Sequence, residues 1–241
     1  MNDTRKDSHQ IIFGRNPVFE ALMSGNVKKL YVVAGFSFDK ITNLAKEKNV
    51  PIINIDNKEM SRLCPGTHQG VACEIKSYDY VSLQDIISKA KSVEKPIIVL
   101  LDGITDPHNL GAIIRSAEIF NVSGIVLPKH ESVTLNATVA KVSAGAINYV
   151  PVCIVNNLNS AIQTLKENGY WVVSSDGSAE QNYQDLSYDF KTALVIGSEG
   201  KGVSRLVLKN SDYVVKIPMY GRVNSLNASV AAGILLARIR N

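Results

Sequence analysis

The sequence is poor in the residues that build metal sites and disulfide frameworks. Only three cysteines and four histidines occur in 241 residues, and they are scattered along the chain. No CxxC pair is present, and an odd, dispersed set of cysteines predicts neither a disulfide framework nor a zinc site. We therefore expect a function that uses no bound metal.

Long apolar stretches are also missing. The longest apolar runs, such as residues 97–101, have strand length and are too short to span a bilayer. Residues 1–10 are polar and of mixed charge, without the apolar stretch of a signal peptide. We expect a cytoplasmic protein with a polar N-terminal tail and no membrane partner.

Strong charge of one sign is absent as well. The net charge is +4, and hydrophobic and charged residues make up 45% and 20% of the chain, as in ordinary globular proteins. This mild positive charge is compatible with a polyanionic partner but does not by itself predict one.

The predicted elements change in character near residue 80. In residues 1–77 short elements alternate, with helices over 11–24, 38–48 and 57–64 and strands over 29–33, 52–55 and 71–75. This pattern predicts a small α/β domain. Residues 78–95 are more polar and carry one helical segment, at 82–91, so they are interpreted as a linker.

A second domain is predicted over residues 96–241. It opens with the apolar run 97–101, which is typical of a strand buried on both faces of a parallel sheet. Further strands are predicted over 124–127, 149–153, 170–174, 193–197 and 213–217. Helices are predicted over 110–120, 135–144, 158–168, 203–208 and 226–240. This alternation indicates a mostly parallel sheet with helices on both faces.

Ligands of open parallel sheets bind outside the carboxyl ends of the strands, and three junctions at such ends are unusual. The first covers residues 101–115. Apolar residues at helical spacing form its buried stripe, and Arg115 flanks that stripe. Gly111 and Ala112 would leave room for a bulky ligand beside it. By themselves, Arg115 could be a solvated helix residue and Asn109 a helix cap.

The second junction, residues 197–203, has three glycines within six residues. Their order matches neither the phosphate-binding loop nor the dinucleotide fingerprint. The glycines instead permit backbone close to a ligand or a tight chain crossing. Glu199 could be a surface residue or a charge at a helix N-terminus.

The third junction covers residues 217–229. A proline follows the strand, Gly221 bends the chain, and Ser225 lies where a helix is predicted to begin, which is a capping position. That helix is rich in small residues, which permits close packing within the fold or across a dimer.

Taken together, in this order and spacing, the three junctions closely resemble the signature motifs of the SpoU/TrmH methyltransferases of the SPOUT class. Asn109 and Arg115 match an N-x5-R pattern, and the loop through Gly197 and Glu199 resembles GxEGxG. Residues 217–231 match IPM-x-G-x-V-x-SLN-x-S-V-A. The FGRNPVxEAL opening and HQGVA at 68–72 resemble the small L30e-type RNA-binding domain of the rRNA-modifying members, so the resemblance covers nearly the whole chain.

The resemblance implies an α/β protein with an L30e-like RNA-binding domain at 1–77, a linker at 78–95 and a catalytic parallel-sheet SPOUT domain at 96–241. A deep trefoil knot is expected roughly over residues 193–232. The implied activity is S-adenosyl-L-methionine-dependent 2′-O-methylation of a ribose in RNA. The family is homodimeric, and its site is completed near the subunit interface.

The resemblance also implies roles for individual residues. The catalytic candidates are Arg115, Asn109, Glu199, Ser225 and Asn227. The cofactor candidates are Gly197, Ile217, Met219 and Leu226. The candidate RNA contacts are Arg15, Asn16, Lys28, Lys29, Arg62 and His68. The family role of Arg115 is to activate the 2′-hydroxyl. Because free arginine has a pKa above 12, holding a phosphate bidentately is an equally physical role.

The implied target is a guanosine in the peptidyl-transferase region of 23S rRNA, as for RlmB-type enzymes, with no DNA partner. A small appended RNA-binding domain suits a folded rRNA loop. The alternatives are a tRNA ribose methyltransferase, a ribosome-directed antibiotic-resistance methyltransferase, and a catalytically idle RNA-binding or ribosome-assembly protein. The missing dinucleotide fingerprint disfavours an oxidoreductase.

Overall fold

The structure, a computed structural model, describes residues 11–23, 25, 27–35, 38–64, 66–75, 79–223 and 225–241. The predicted N-terminal tail, residues 1–10, lies outside the described residues. The chain divides into two compact units, Met1–Tyr78 and Asp79–Asn241. Within the described ranges, no helix is long and apolar enough to cross a membrane.

In the residues that the structure describes, the first unit is a four-stranded mixed sheet with three helices. Its elements are β1 (Ile11–Phe13), α1 (Arg15–Met23), β2 (Val27–Val33), α2 (Asp39–Glu47), β3 (Ile52–Ile55), α3 (Asn57–Leu63) and β4 (Val71–Ile75). The strand order is β1-β4-β2-β3. The predicted helix over 11–24 is wrong at its start, because Ile11–Phe13 pairs with β4 and Gly14, at φ +93°, separates that strand from the helix.

Two small cores hold this first unit together. Helices α1 and α2 bury residues such as Leu22 and Ile41 in one cluster with Leu30 of β2. Met60 of α3 packs in another cluster with Val33 of β2 and Ala72 of β4. Both faces of the sheet are therefore covered, which explains why every residue of β4 is buried.

The second unit is built on a seven-stranded sheet. Its elements are α4 (Leu83–Ala90), β5 (Ile97–Asp102), α5 (Pro107–Ile119), β6 (Gly124–Pro128), α6 (Ala137–Val142), β7 (Val152–Val155), α7 (Leu158–Glu167), β8 (Tyr170–Ser175), β9 (Gln181–Asn182), β10 (Lys191–Gly197), α8 (Arg205–Lys209), β11 (Tyr213–Lys216) and α9 (Ala228–Arg240). The order is β7-β6-β5-β10-β8-β11-β9, and every neighbouring pair is parallel. The sequence did not predict β9, whose two residues are too few to show a pattern.

The order of the strands decides where a ligand can bind. The chain starts near the middle of the sheet at β5, moves outward to β7, and then crosses back to the other side of β5. Because β8, β10 and β11 run parallel, their carboxyl ends meet at one edge. A reversal of this kind opens a crevice in doubly wound sheets.

Helix α4 lies inside the predicted linker but belongs to the second unit. Its residues Ile86 and Ile87 are buried in a core cluster with Leu100 of β5 and Val195 of β10. Ser82 caps the helix through a capping box with Asp85. The compact second unit, Asp79–Asn241, therefore includes α4, because the amphipathic face of α4 covers the sheet.

Candidate active site

A cleft lies at the carboxyl ends of β8, β10 and β11. Its volume is about 270 Å³, and three stretches of chain line it. They are Ser175–Gly177 at the end of β8, residues 196–202 at the end of β10, and residues between 217 and 231 after β11. The second and third predicted junctions therefore come together at one site.

The glycine-rich junction makes a tight crossing. A Cβ atom on Gly197 would overlap backbone atoms of Gly202 and Val203, so no other residue fits there without moving the chain. Gly202 has φ +65°, a left-handed conformation that favours glycine, and its N–H donates to the carbonyl of Ser198 at 2.9 Å. The sequence left two interpretations open for these glycines, and Gly197 makes the tight crossing while it also lines the cleft.

The carboxylate of Glu199 joins all three junctions at the edge of the cleft. Its Oε1 accepts from Asn109 Nδ2 at 3.0 Å and from the side-chain amide of Asn227. Asn227 Nδ2 also donates to Asn109 Oδ1 at 2.8 Å. These residues lie 90 and 28 positions apart along the chain, so the tertiary fold alone brings them together.

Glu199 also lies at the N-terminus of α9. The backbone N–H of Ala228 points to Glu199 Oε1 at 3.4 Å, and a negative charge at this end of a helix is favourable. The helix cap is Asn227, whose Oδ1 accepts from the N–H groups of Ser229 and Val230. The capping role considered for Ser225 is therefore wrong, because α9 starts at Ala228.

The four cofactor candidates all line the cleft. Gly197, Ile217, Met219 and Leu226 form part of its wall, together with Glu199 and Ser225. Met219 is 39% exposed and lines the cleft, so part of this residue is accessible to a bound molecule. The contact of these residues with a cofactor stays a prediction.

Arg115 does not line this cleft. It is exposed on α5, six residues beyond Asn109. Within the part of the chain that the structure describes, no hydrogen bond or ion pair engages its guanidinium. Asn109 lies within α5, which Asp106 caps, so the capping role considered for Asn109 is also wrong.

The space expected beside Arg115 is occupied. A Cβ on Gly111 would lie 2.6 Å from Cβ of Val142 and 3.0 Å from the carbonyl oxygen of Val139. Gly111 is buried and permits α5 and α6 to approach closely, so the prediction that it leaves room for a ligand is wrong.

Two of the candidate RNA contacts in the first unit pair with a buried carboxylate. Lys28 and Lys29 place Nζ 3.1 Å and 3.9 Å from the carboxylate oxygens of Glu74. Tyr31 donates its hydroxyl to Glu74 at 3.2 Å, and burial together with this bond raises the pKa of Tyr31. Glu74 therefore partly neutralises the positive charge of Lys28 and Lys29 within the first unit.

The other candidate RNA contacts are spread over the same unit. The guanidinium of Arg15 lies 4.8 Å from the ring centre of Phe38, beside a hollow that Asn16 also lines. Arg62 is exposed on α3. Nδ1 of His68 accepts from the N–H of Gly70 at 3.0 Å, which orders the 66–70 loop. Their contacts with RNA stay predictions.

Sequence reasoning missed several residues of the cleft. Asp176 and Lys201 line it, as do Ser175 and Gly177. Asp176 directly follows β8, so the rule that ligands bind beyond the carboxyl ends of strands could have identified it. A further missed contact is Asp102, whose Oδ2 accepts from the N–H of Ser204 at 2.7 Å and ties the first junction to the residue that follows the second. No group of three His, Cys, Asp or Glu residues within the described ranges could hold a metal ion.

Comparison with known proteins agrees with this geometry. Residues 96–237 match the SpoU rRNA Methylase family, and residues 11–81 match the family described as RNA 2′-O ribose methyltransferase substrate binding. A Bacillus subtilis (strain 168) protein, named for the TrmH family of tRNA/rRNA methyltransferases, is 41% identical over 239 residues. The match covers 96% of this chain and 95% of that protein.

Solved structures show the same fold. The AdoMet-bound rRNA methyltransferase from Sinorhizobium meliloti has a TM-score of 0.65 at 25% identity, covering 95% of this chain and 86% of that one. The SpoU methyltransferase AviRb from Streptomyces viridochromogenes has a TM-score of 0.64 at 25% identity, covering 95% and 88%. The predicted α/β class with its parallel-sheet SPOUT fold is confirmed.

Proposed function

The chain belongs to the SpoU methylase family, and we propose that it methylates a ribose 2′-hydroxyl in large-subunit ribosomal RNA. The coarser assignment is established: the chain is an RNA methyltransferase that uses S-adenosylmethionine. The proposal concerns the acceptor atom, the RNA and the residues that act on them. The observation that supports it best is the convergence of Asn109, Glu199 and Asn227 at the edge of the cleft.

The cleft fits S-adenosylmethionine in the chemistry of its wall. Apolar side chains such as Ile217 and Leu226 suit an adenine ring, and the positively charged Lys201 suits the carboxylate of an amino acid tail. The tight crossing at Gly197 brings backbone groups to the surface of the cleft. We propose that backbone groups of Gly197, Ile217 and Leu226 hold the cofactor, with Met219 beside it.

The hydrogen bonds among Glu199, Asn109 and Asn227 fix the positions of these side chains at the edge of the cleft. When bound, S-adenosylmethionine supplies a methyl group already activated on a positively charged sulfur. The protein must hold the ribose hydroxyl in line with this methyl group. Positioning of this kind can lower the barrier to methyl transfer by several kcal/mol. We assign Asn109, Glu199 and Asn227, with Ser225 beside them, to orienting the ribose and the methionine part of the cofactor.

Arg115 is assigned to the RNA. Because no described residue pairs with its guanidinium, it is available to hold a phosphate next to the target ribose bidentately. Such a contact would place the 2′-hydroxyl for attack, and the positive charge would favour loss of its proton. The general-base role that the family suggests remains the alternative for this residue.

The proposed enzyme works as a homodimer. Arg115 does not line the cleft of its own chain, and we propose that Arg115 of a second copy acts there. Exposed apolar residues adjoin the cleft in sequence: Tyr220 is 96% exposed and Val223 74%, and Val230 lies in the first turn of α9. Apolar side chains of this kind are typical of a subunit interface.

The target that we propose is a guanosine in the peptidyl-transferase region of 23S rRNA. The match of residues 11–81 to a substrate-binding family supports a role of the first unit in holding a folded RNA. Arg15, Asn16, Arg62 and His68 are the proposed contacts, assisted by the lysines beside Glu74. A ribosomal target also implies work in the cytoplasm.

A methylation assay with the full chain tests this assignment. Purified large-subunit rRNA and bulk tRNA are incubated with labelled S-adenosylmethionine, and methylated riboses are mapped by the resistance of their 3′ phosphodiester to alkali. We expect one labelled guanosine in 23S rRNA. A 2′-deoxy substitution at that nucleotide should abolish labelling, because it removes the acceptor oxygen.

A tRNA target is the second candidate, because the Bacillus subtilis relative is named for both tRNA and rRNA. Labelling confined to tRNA would support that candidate and contradict ours. Labelling of a base would contradict the ribose assignment for either RNA. Labelling of neither RNA would favour action on a ribosomal assembly particle, which the same assay tests with isolated 50S precursors.

A further inference from the structure

Asp176 lies at the cleft without a role in the family motifs that the sequence displays. It follows β8 directly, and its backbone N–H donates to the carbonyl of Val215 in β11 at 3.0 Å. This bond holds Asp176 at the carboxyl end of two strands. The side chain is half-buried and lines the cleft beside Gly177.

The two carboxylate oxygens of Asp176 have different surroundings. Oδ1 accepts from the N–H and the hydroxyl of Ser178, at 2.8 Å and 2.5 Å, in a local turn. Oδ2 lies 3.7 Å from the position that a Cβ on Gly202 would take, so it faces the glycine loop across the cleft. No donor within the described residues binds Oδ2.

The charges on the cleft wall are unequal. Asp176 and Glu199 carry negative charge, and Lys201 is the one cation among the described residues that line the cleft. Oε1 of Glu199 is already shared by the side chains of Asn109 and Asn227. Asp176 therefore contributes a carboxylate oxygen that remains available to a ligand.

The donor and the product differ in charge. S-adenosylmethionine carries a sulfonium, an ammonium and a carboxylate, and its net charge is positive. S-adenosylhomocysteine lacks the sulfonium and is neutral overall. We infer that Asp176 is a specificity-determining residue that makes the cleft favour the cationic donor over the neutral product. A half-buried carboxylate interacts with such a charge more strongly than one in water does.

This preference has a consequence for turnover. Once the methyl group has left, the attraction between Asp176 and the sulfur centre is lost, and the product dissociates more readily. The inference rests on the use of S-adenosylmethionine and does not depend on which RNA is methylated.

Isothermal titration calorimetry with the full chain tests the inference. The ligands are S-adenosylmethionine, S-adenosylhomocysteine and sinefungin, in which an amine-bearing carbon replaces the methylated sulfur and restores the positive charge. The variant is Asp176→Asn, which keeps an acceptor oxygen for Ser178 and removes the charge. We expect it to bind the two cationic ligands about tenfold more weakly and S-adenosylhomocysteine less than about twofold more weakly.

Two further variants serve as controls. Asp185→Asn removes an exposed carboxylate that does not line the cleft, so all three affinities should stay unchanged. Asp176→Ser is a second neutral variant, in case Asp176→Asn does not fold, because serine can also accept from the N–H two residues on. The thermal midpoint without ligand reports on folding.

The outcomes are distinct. Equal weakening of all three ligands, or no weakening, would overturn the inference, because the carboxylate would then act on a part that the ligands share or not at all. A wild-type chain that binds none of the ligands would overturn the inference together with the cofactor assignment.

Discussion

Gly197 shows how one residue can hold a site together. Its missing side chain lets the end of β10 pass against the backbone of Gly202 and Val203. This crossing sets the shape of the loop that carries Glu199 to Asn109 and Asn227. A glycine in a strand often marks a close approach of backbone of this kind.

We expect Gly197→Ala to destabilise the second unit by at least about 3 kcal/mol. The Cβ of the new alanine would overlap backbone atoms of Gly202 and Val203, which cannot move without changing the loop. Donor binding should be lost with it. The matched control is Gly200→Ala, since a Cβ at Gly200 meets no atom within 4 Å. Urea unfolding measures the stability, and calorimetry measures donor binding. Equal stability of the two variants would contradict the tight backbone crossing at Gly197.

Arg115 can be tested at the same scale. Arg115→Ala should lower methyl transfer by at least about 100-fold while S-adenosylmethionine binds as before, because the residue lies outside the cleft of its own chain. Arg115→Lys should restore little activity if the guanidinium holds a phosphate bidentately. Single-turnover rates and calorimetry give the two readouts. Near-normal turnover in Arg115→Ala would contradict the proposed role of Arg115 in methyl transfer.

At the scale of elements, α4 packs onto the sheet of the second unit. Residues 78–95 are polar enough to be interpreted as a linker, yet Ile86 is fully buried against the parallel sheet. Its contact is close: a Cβ on Gly124 would lie 2.6 Å from Cγ2 of Ile86. The missing side chain of Gly124, at the start of β6, therefore leaves the space that Ile86 of α4 fills.

We expect Ile86→Ala to cost about 2–5 kcal/mol of unfolding free energy, as for other large buried aliphatic residues. Ile119→Ala is the control, because Ile119 is 65% exposed and its loss should change stability by less than about 0.5 kcal/mol. Urea denaturation followed by tryptophan fluorescence is suitable, since the only tryptophan, Trp171, lies on β8. A change near zero in the unfolding free energy of Ile86→Ala would indicate that residues 78–95 act as a linker.

At the scale of the whole molecule, the separation of Arg115 from the cleft bears on assembly. We expect mixed dimers of Arg115→Ala and Glu199→Ala chains to recover activity that neither variant has alone. In such a dimer one cleft keeps Glu199 and receives the intact Arg115 of the other chain. Differently tagged chains, purified as mixed dimers, are assayed for methyl transfer. Inactive mixed dimers would show that each chain supplies both residues to its own site.

The stability of the second unit should also depend on alkaline pH. Burial raises the pKa of both Tyr170 and Tyr188 to about 12, whereas tyrosines of the unfolded chain ionise near their usual value of about 10. Between these values the unfolded state loses protons that the folded state retains. The free energy of unfolding should then fall by up to about 1.4 kcal/mol per pH unit for each group.

Urea midpoints at pH 9 and pH 11 measure this decline. Tyr188→Phe should make it shallower, because it removes one of the groups whose pKa burial raises, which also include Tyr170 and Cys153. Tyr220→Phe is the control, since Tyr220 is 96% exposed. The same slope in all three proteins would mean that buried tyrosines do not cause the decline.

The sequence alone determined the class of fold, most of the elements and the segments that meet at the site. Apolar runs, turn residues and the spacing of three motifs are local properties, and local properties can be read along the chain. Strand β3 and strand β4 were predicted with their observed bounds, and Gly197, Glu199 and Ser225 line the cleft that the motifs indicated.

Only the tertiary structure decided which side chains touch. It placed Asn109 against Glu199 across 90 residues, gave the capping role to Asn227, filled the space at Gly111 with Val142, and left Arg115 outside its own cleft. It also brought Asp176 to the cleft. Such contacts depend on the order in which parallel strands join the sheet, and that order is a long-range property that periodicity along the chain does not contain.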